Sequence, residues 1–149
     1  MVREDLEDLI KSLGGEILNV GKTVKTVAQA AEATGSSPRK IIKSLLLIAG
    51  GDKPILAIVD GESRVDFRKM SRHFGAVRLA TPREVKELTG YEVGELPPVG
   101  IRVRTVIDPR VLENEFVIGG GGRVDRLSKL SPRRIVEYQR AEVLDISSR

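Results

Sequence analysis

Two nearly unbroken apolar runs, residues 44–49 and 54–59, separated only by Gly50-Gly51-Asp52-Lys53, constrain this chain more than any other feature. A strand with one wet face alternates apolar and polar residues, whereas a strand apolar throughout must be covered on both faces. The pair therefore reads as a hairpin closed by a glycine-rich turn, lying in the middle of a sheet with further layers on either side.

The covering layers are written in helix punctuation. Leu6, Leu9, Ile10 and Leu13 fall at helical spacing and stop at Gly14-Gly15. Thr26-Val-Ala-Gln29 and Thr81-Pro-Arg-Glu84 are capping boxes opening helices that end near Gly35 and Gly90. Ser37-Pro38 and Ser131-Pro132 place proline at a first helical position, the latter opening a helix that ends near Arg140, and residues 66–74 form a basic helix. Residues 16–20, 76–80, 101–107 and 115–118 read as further strands, the last running into Gly119-Gly-Gly-Gly122. Helices interleave with strands but hairpins are present, so the expectation is an α/β (α+β) protein with a mixed sheet. With 149 residues, 40% of them hydrophobic, and no repeat or linker, residues 1–149 are expected to form one domain.

Composition narrows the chemistry. There is no cysteine, which removes disulfides, thiolate metal sites and a thiol nucleophile, and the lone His73 has no second histidine to share a metal. Acids near the N-terminus and the absence of a spanning apolar run lead to the expectation of a cytoplasmic protein with no membrane contact. Charged residues make up 31% of the chain, a thermophile-like balance, and the net charge of +4 suits a polyanionic partner without requiring one. Arg68, Lys69, Arg72, Arg78, Arg83 and Lys86 form one basic cluster, and Arg123, Arg126, Lys129, Arg133 and Arg134 another. They read either as a track for an RNA backbone or as a solvated surface.

Three features carry candidate chemistry. Lys43 is the only lysine in an apolar stretch, so its ammonium reaches water, pairs with a carboxylate, or faces a pocket that binds anions or carbonyls. Residues 89–100, Thr-Gly-Tyr-Glu-Val-Gly-Glu-Leu-Pro-Pro-Val-Gly, combine flexible glycine with stiffening proline. That is the composition of a rigid turn, or of a loop that holds amide N–H groups toward an oxyanion. Gly119 to Gly122 matches neither the dinucleotide fingerprint nor the phosphate loop, which leaves a β-bulge or a close backbone approach to a ligand. Asp60, Asp66, Asp108 and Asp125 stand where aspartate commonly caps and turns.

Taken together, Ile42-Lys-Ser-Leu-Leu-Leu47, the 89–100 loop, Val106-Ile-Asp108 and the glycine-rich strand end before Leu130-Ser-Pro132 resemble the YbaK/ProX family of aminoacyl-tRNA editing domains, over about residues 15–136. The resemblance implies a mixed, partly barrel-like sheet flanked by helices. It also implies trans-editing, the hydrolysis of the ester joining a mismatched small amino acid such as cysteine or alanine to tRNA, usually tRNA-Pro. By the same resemblance Lys43 is the residue needed for activity, and Gly94 and Pro98 are the ends of the G-x-x-x-P loop that holds the aminoacyl group. Tyr91, Gly100, Gly119, Gly120 and Asp125 are placed around the substrate, Asp125 only with a gap in the match, and no tyrosine stands near residue 20 where some members carry one. Water or the substrate's ribose hydroxyl would attack, with no metal or other cofactor. The expected partner is mischarged tRNA, with an aminoacyl-tRNA synthetase as a further one. A non-catalytic tRNA-end or RNA-binding module is the competing reading, and a small-molecule site at Gly119 to Gly122 a third.

Overall fold

The central hairpin forms as the apolar runs require. In a computed structural model, which describes residues 5–149, strands β2 (Ile42–Ala49) and β3 (Lys53–Asp60) pair antiparallel from Ile42↔Asp60 to Ala49↔Lys53. They lie inside a five-stranded mixed sheet of order β5-β2-β3-β6-β9, with β5 at Val77–Leu79, β6 at Arg104–Ile107 and β9 at Glu142–Val143. β5 joins antiparallel, while β6 and β9 run parallel to β3.

Both faces are covered, because successive side chains of a strand point to opposite sides. Ile42, Leu46, Ile48, Leu56 and Ile58 pack on one face with Leu6 and Ile10 of α1 (Asp5–Ser12), Val85 of α4 (Pro82–Thr89) and Ile135 of α5 (Pro132–Gln139). Leu47, Ala49, Ile55, Ala57 and Val59 pack on the other with Met70 of α3 (Phe67–Phe74), Val65 and Ile146. Val65 belongs to the short strand β4 (Arg64–Val65), which pairs with β10 (Ser147–Ser148).

A second sheet of order β1-β8-β7 is built from Glu16–Asn19, Arg126–Leu130 and Val117–Gly120. Leu127 and Ile118 of that sheet, with Val24, Ile41 and Ala30 of α2 (Val27–Thr34), make a third apolar cluster. The two sheets touch at one parallel bridge, Ile41↔Ile118, so the second sheet curls against the first without closing a barrel.

Several sequence expectations are corrected in detail. The helical turn after Ser37 is a 3-10 turn, Pro38–Lys40, and β2 begins at Ile42. The strand expected over 101–107 is limited to Arg104–Ile107, because the Gln139 side chain accepts from Gly100 N at 2.9 Å and donates to Ile101 O at 2.8 Å, replacing the ladder there. Strand β8 lies inside what reads in sequence as a basic cluster, since Arg126 and Lys129 flank the buried Leu127 and Ser128.

Candidate functional site

The largest consequence of this topology is a gap along one edge of β2. Asp108 N donates to Ile58 O, so the even-numbered backbone groups of β3 face β6 and its odd-numbered ones face β2. The even-numbered groups of β2 therefore point away from β3, and Leu46 O accepts from Ala80 N on the β5 side. Two residues earlier, Ser44 would pair with position 82, which is a proline inside the first turn of α4. The ladder stops there, while β7 is bridged to the chain just before β2, at Ile41↔Ile118.

A cavity of about 340 Å³ occupies the gap. Its walls are α2 (Val27, Ala30), β2 (Ile42 to Leu46), α4 (Pro82, Val85), Val93, Gly94 and Leu96 of the glycine-proline loop, and Gly119 and Gly120 of β7. Among the described residues no carboxylate lines it, and the charged lining residues are Lys25 and Lys43.

Lys43 lines this cavity, and its ammonium donates to the carbonyl oxygen of Ser63. Burial lowers its pKa below the ordinary lysine value, partly opposed by the negative charge of Asp60 and reinforced by the positive charge of Arg64. Asp60 is 1% exposed; its Oδ2 accepts from Glu62 N at 3.2 Å and its Oδ1 has no partner. The Ser63 hydroxyl accepts from Arg110 Nη1 at 3.1 Å, which fixes the turn that receives Lys43.

The glycine-proline loop is held by β7 through missing side chains. A Cβ on Gly120 would lie 2.0 Å from Leu96 O, and one on Gly119 would lie 3.0 Å from Ile42 Cγ1 and 3.5 Å from Pro98 Cδ. Both glycines thus let the loop and β2 approach the strand. Gly94 adopts φ +92°, in the region that favours glycine, with its would-be Cβ 3.9 Å from Lys25 Cβ.

Of the residues expected at the site, Lys43, Gly94, Gly119 and Gly120 converge on the cavity. Pro98 is buried beside Gly119 and supports the wall from behind. Tyr91 is in the main core, Gly100 lines a separate groove with Arg102, Tyr138 and Arg140, and Asp125 lines a third depression with Lys22 and Arg123. His73 is exposed on α3, outside the cavity. Lys25 and Ser44 are lining residues that sequence reasoning passed over. Lys25 looks like any loop lysine, and a serine inside a strand carries no signal of its own.

The family model of the aminoacyl-tRNA editing domain matches residues 21–138. The chain belongs to the aminoacyl-tRNA editing domain family. Among relatives of this editing domain, the YwhH protein of Bacillus subtilis is 32% identical over 121 residues, covering 79% of this chain and 77% of that protein. The proline–tRNA ligase of Thermotoga neapolitana is 36% identical over 101 residues, covering 65% of this chain but only 17% of the ligase. Two solved structures share the fold closely. Hypothetical protein APE2540 superposes with a TM-score of 0.90 at 37% identity, covering 97% of this chain and 99% of that one. A candidate trans-editing enzyme for prolyl tRNA synthetase superposes at 0.88 with 28% identity, covering 99% and 97%. The mixed sheet flanked by helices is that of these neighbours, and the resemblance read from Lys43 and the glycine-proline loop is confirmed at family level.

Proposed function

We propose that this editing domain is an aminoacyl-tRNA deacylase acting in trans, clearing a small amino acid such as alanine or cysteine from tRNA-Pro. The observation that carries the reading is the mostly apolar cavity that both Lys43 and the Gly94 loop line. Its volume, about 340 Å³, lies at the small end of ordinary ligand pockets, about 300–1,000 Å³, and suits an aminoacyl ester with part of its ribose. The proline–tRNA ligase relatives and the prolyl trans-editing neighbour support tRNA-Pro as the carrier.

An aminoacyl ester is already activated, so positioning and stabilisation of the developing oxyanion supply most of what hydrolysis needs. Water, deprotonated with help from the vicinal ribose hydroxyl, adds to the ester carbonyl carbon. The carbon–oxygen bond to the ribose then breaks, the ribose oxygen takes the proton, and free amino acid and tRNA leave. The Lys43 ammonium polarises the ester or its oxyanion, and the apolar walls receive the aminoacyl side chain.

The test is a panel of mischarged tRNAs incubated with the wild type and with Lys43→Ala. Turnover of small aminoacyl groups on tRNA-Pro that falls by about 100-fold or more in Lys43→Ala is expected, the scale of losing one oxyanion-stabilising group. Salt-sensitive tRNA binding without turnover would instead make this a tRNA-end binding module, and an unchanged rate in Lys43→Ala would remove Lys43 from the chemistry.

A further inference from the structure

A groove of about 610 Å³ runs between residues 100–104 and the last turn of α5, and Arg102, Arg104, Tyr138 and Arg140 are on its lining. It shares no lining residue with the cavity, and among the described residues no carboxylate lines it. Gln139 ties its two walls together, accepting from Gly100 N at 2.9 Å and donating to Ile101 O at 2.8 Å and Thr105 Oγ1 at 2.9 Å.

The three arginines are not equivalent. Arg104 is committed to Glu142 at 2.7 Å and lies over the Phe74 ring at 4.7 Å. Arg102 and Arg140 are exposed, and neither has an acidic partner among the described residues. Arg140 also adopts φ 50° and ψ 46°, and among the described residues no other non-glycine has a positive φ. Helices α2 and α4 end in the same left-handed conformation on Gly35 and Gly90, the residue that takes it without strain. An arginine kept where glycine is the more stable choice points to a use for its side chain. The dipole at the end of α5 attracts an exposed guanidinium only weakly, and it does not account for Arg102 on the facing segment.

Two unpaired guanidinium groups on a braced, acid-free groove match the oxygens of phosphodiesters, which their planar forks can bind in pairs. Tyr138, 47% exposed on the same lining, adds a hydroxyl donor for such oxygens. The place in the fold fits one RNA reaching both sites. Gly100 of the groove and Gly94 of the cavity wall are six residues apart in one loop, which spans at most about 20 Å. Resting on the editing reading above for the identity of the RNA, we propose that Arg102, Tyr138 and Arg140 form a second contact for tRNA, holding backbone phosphates outside the cavity. The contact supplies affinity and orientation and reads no sequence.

The experiment titrates uncharged tRNA-Pro and an unrelated tRNA against wild type, Arg102→Gln, Arg140→Gly and the double variant at about 50 and 200 mM salt, with thermal melts in parallel. Each single variant should weaken binding of both tRNAs by about 3–10-fold at the lower salt, and the double variant by about the product. The gap between wild type and each single variant should narrow by about threefold at the higher salt, the share of one phosphate contact. Arg140→Gly, which keeps the left-handed helix end, should melt at or above the wild-type temperature. A lower melting temperature in Arg140→Gly assigns its side chain to the fold and overturns the proposal. Unchanged affinity in the double variant also overturns it and leaves an acidic protein surface as the occupant, and a loss equal at both salt concentrations removes the phosphate contact. If wild type turns over no mischarged tRNA, the deacylase reading fails by itself, and the same titrations still decide the groove.

Discussion

Lys43 shows how little a residue's sequence context says about its charge. The apolar run leaves open whether its ammonium is in water, paired or pocketed. The fold gives it partial burial, a carbonyl acceptor and a nearby buried carboxylate. Because its pKa in the folded protein lies below the ordinary 10.5, the ammonium is lost at lower pH than from a free lysine. The alkaline limb of kcat/KM is therefore expected to fall below that value, after subtraction of uncatalysed ester hydrolysis. Arg64→Ala, an exposed substitution that removes a like charge, should move the limb upward. Gly120 makes a different demand. A methyl group there would meet Leu96 O at 2.0 Å, so Gly120→Ala is expected to cost about 1–3 kcal/mol in urea melts and to weaken substrate binding by displacing the loop. The glycine cluster is visible in the sequence, but the carbonyl that requires Gly120 comes from a loop more than twenty residues away.

Among elements, helix α4 ties stability to the cavity. Thr81 Oγ1 accepts from Glu84 N at 3.2 Å while Glu84 Oε1 accepts from Thr81 N at 2.8 Å, and Arg78 of β5 donates to both Glu84 oxygens at 2.7 and 2.8 Å. Thr81→Ala should cost about 1 kcal/mol and also raise KM, because Pro82 and Val85 of the same helix form cavity wall. The Arg78 hydrogen bonds, then the backbone of Thr81, lower the Glu84 carboxyl from 4.5 to about 2. Its contribution is thus complete above about pH 4.5 and disappears as pH falls through about 2. The melting-temperature difference between wild type and Glu84→Gln should follow that course and shrink in high salt, since the pair is exposed. Both capping boxes are legible in the sequence because capping is local. The cap at Ser131 is read correctly in position, although its side chain makes no capping hydrogen bond.

At the scale of the molecule, the eleven cations of the two sequence clusters are largely spent on the protein itself. Lys69, Arg78, Arg83, Lys86, Arg123, Arg126 and Arg134 each have an acidic partner within ion-pair distance. Lys129 instead lies over the Phe116 ring at 5.3 Å. Eleven phosphate contacts would give tRNA affinity a salt slope of about −8 to −10, whereas the four cations without an acidic partner among the described residues give about −3 to −4. Binding titrations across salt concentrations should find the shallower slope. The sequence by itself determined the buried hairpin, the capped helices and, through Lys43 and the glycine-proline loop, the family. These follow from periodicity, local hydrogen bonding and short spacings along one chain. Only the tertiary structure decided where β5 and β7 leave β2 unpaired, which opens the cavity, strands the Ser44 hydroxyl, puts Lys25 on the cavity lining and sets Asp60 near Lys43. Strand pairing across tens of residues is fixed by the joint packing of three apolar clusters, and no local pattern encodes an edge that remains empty.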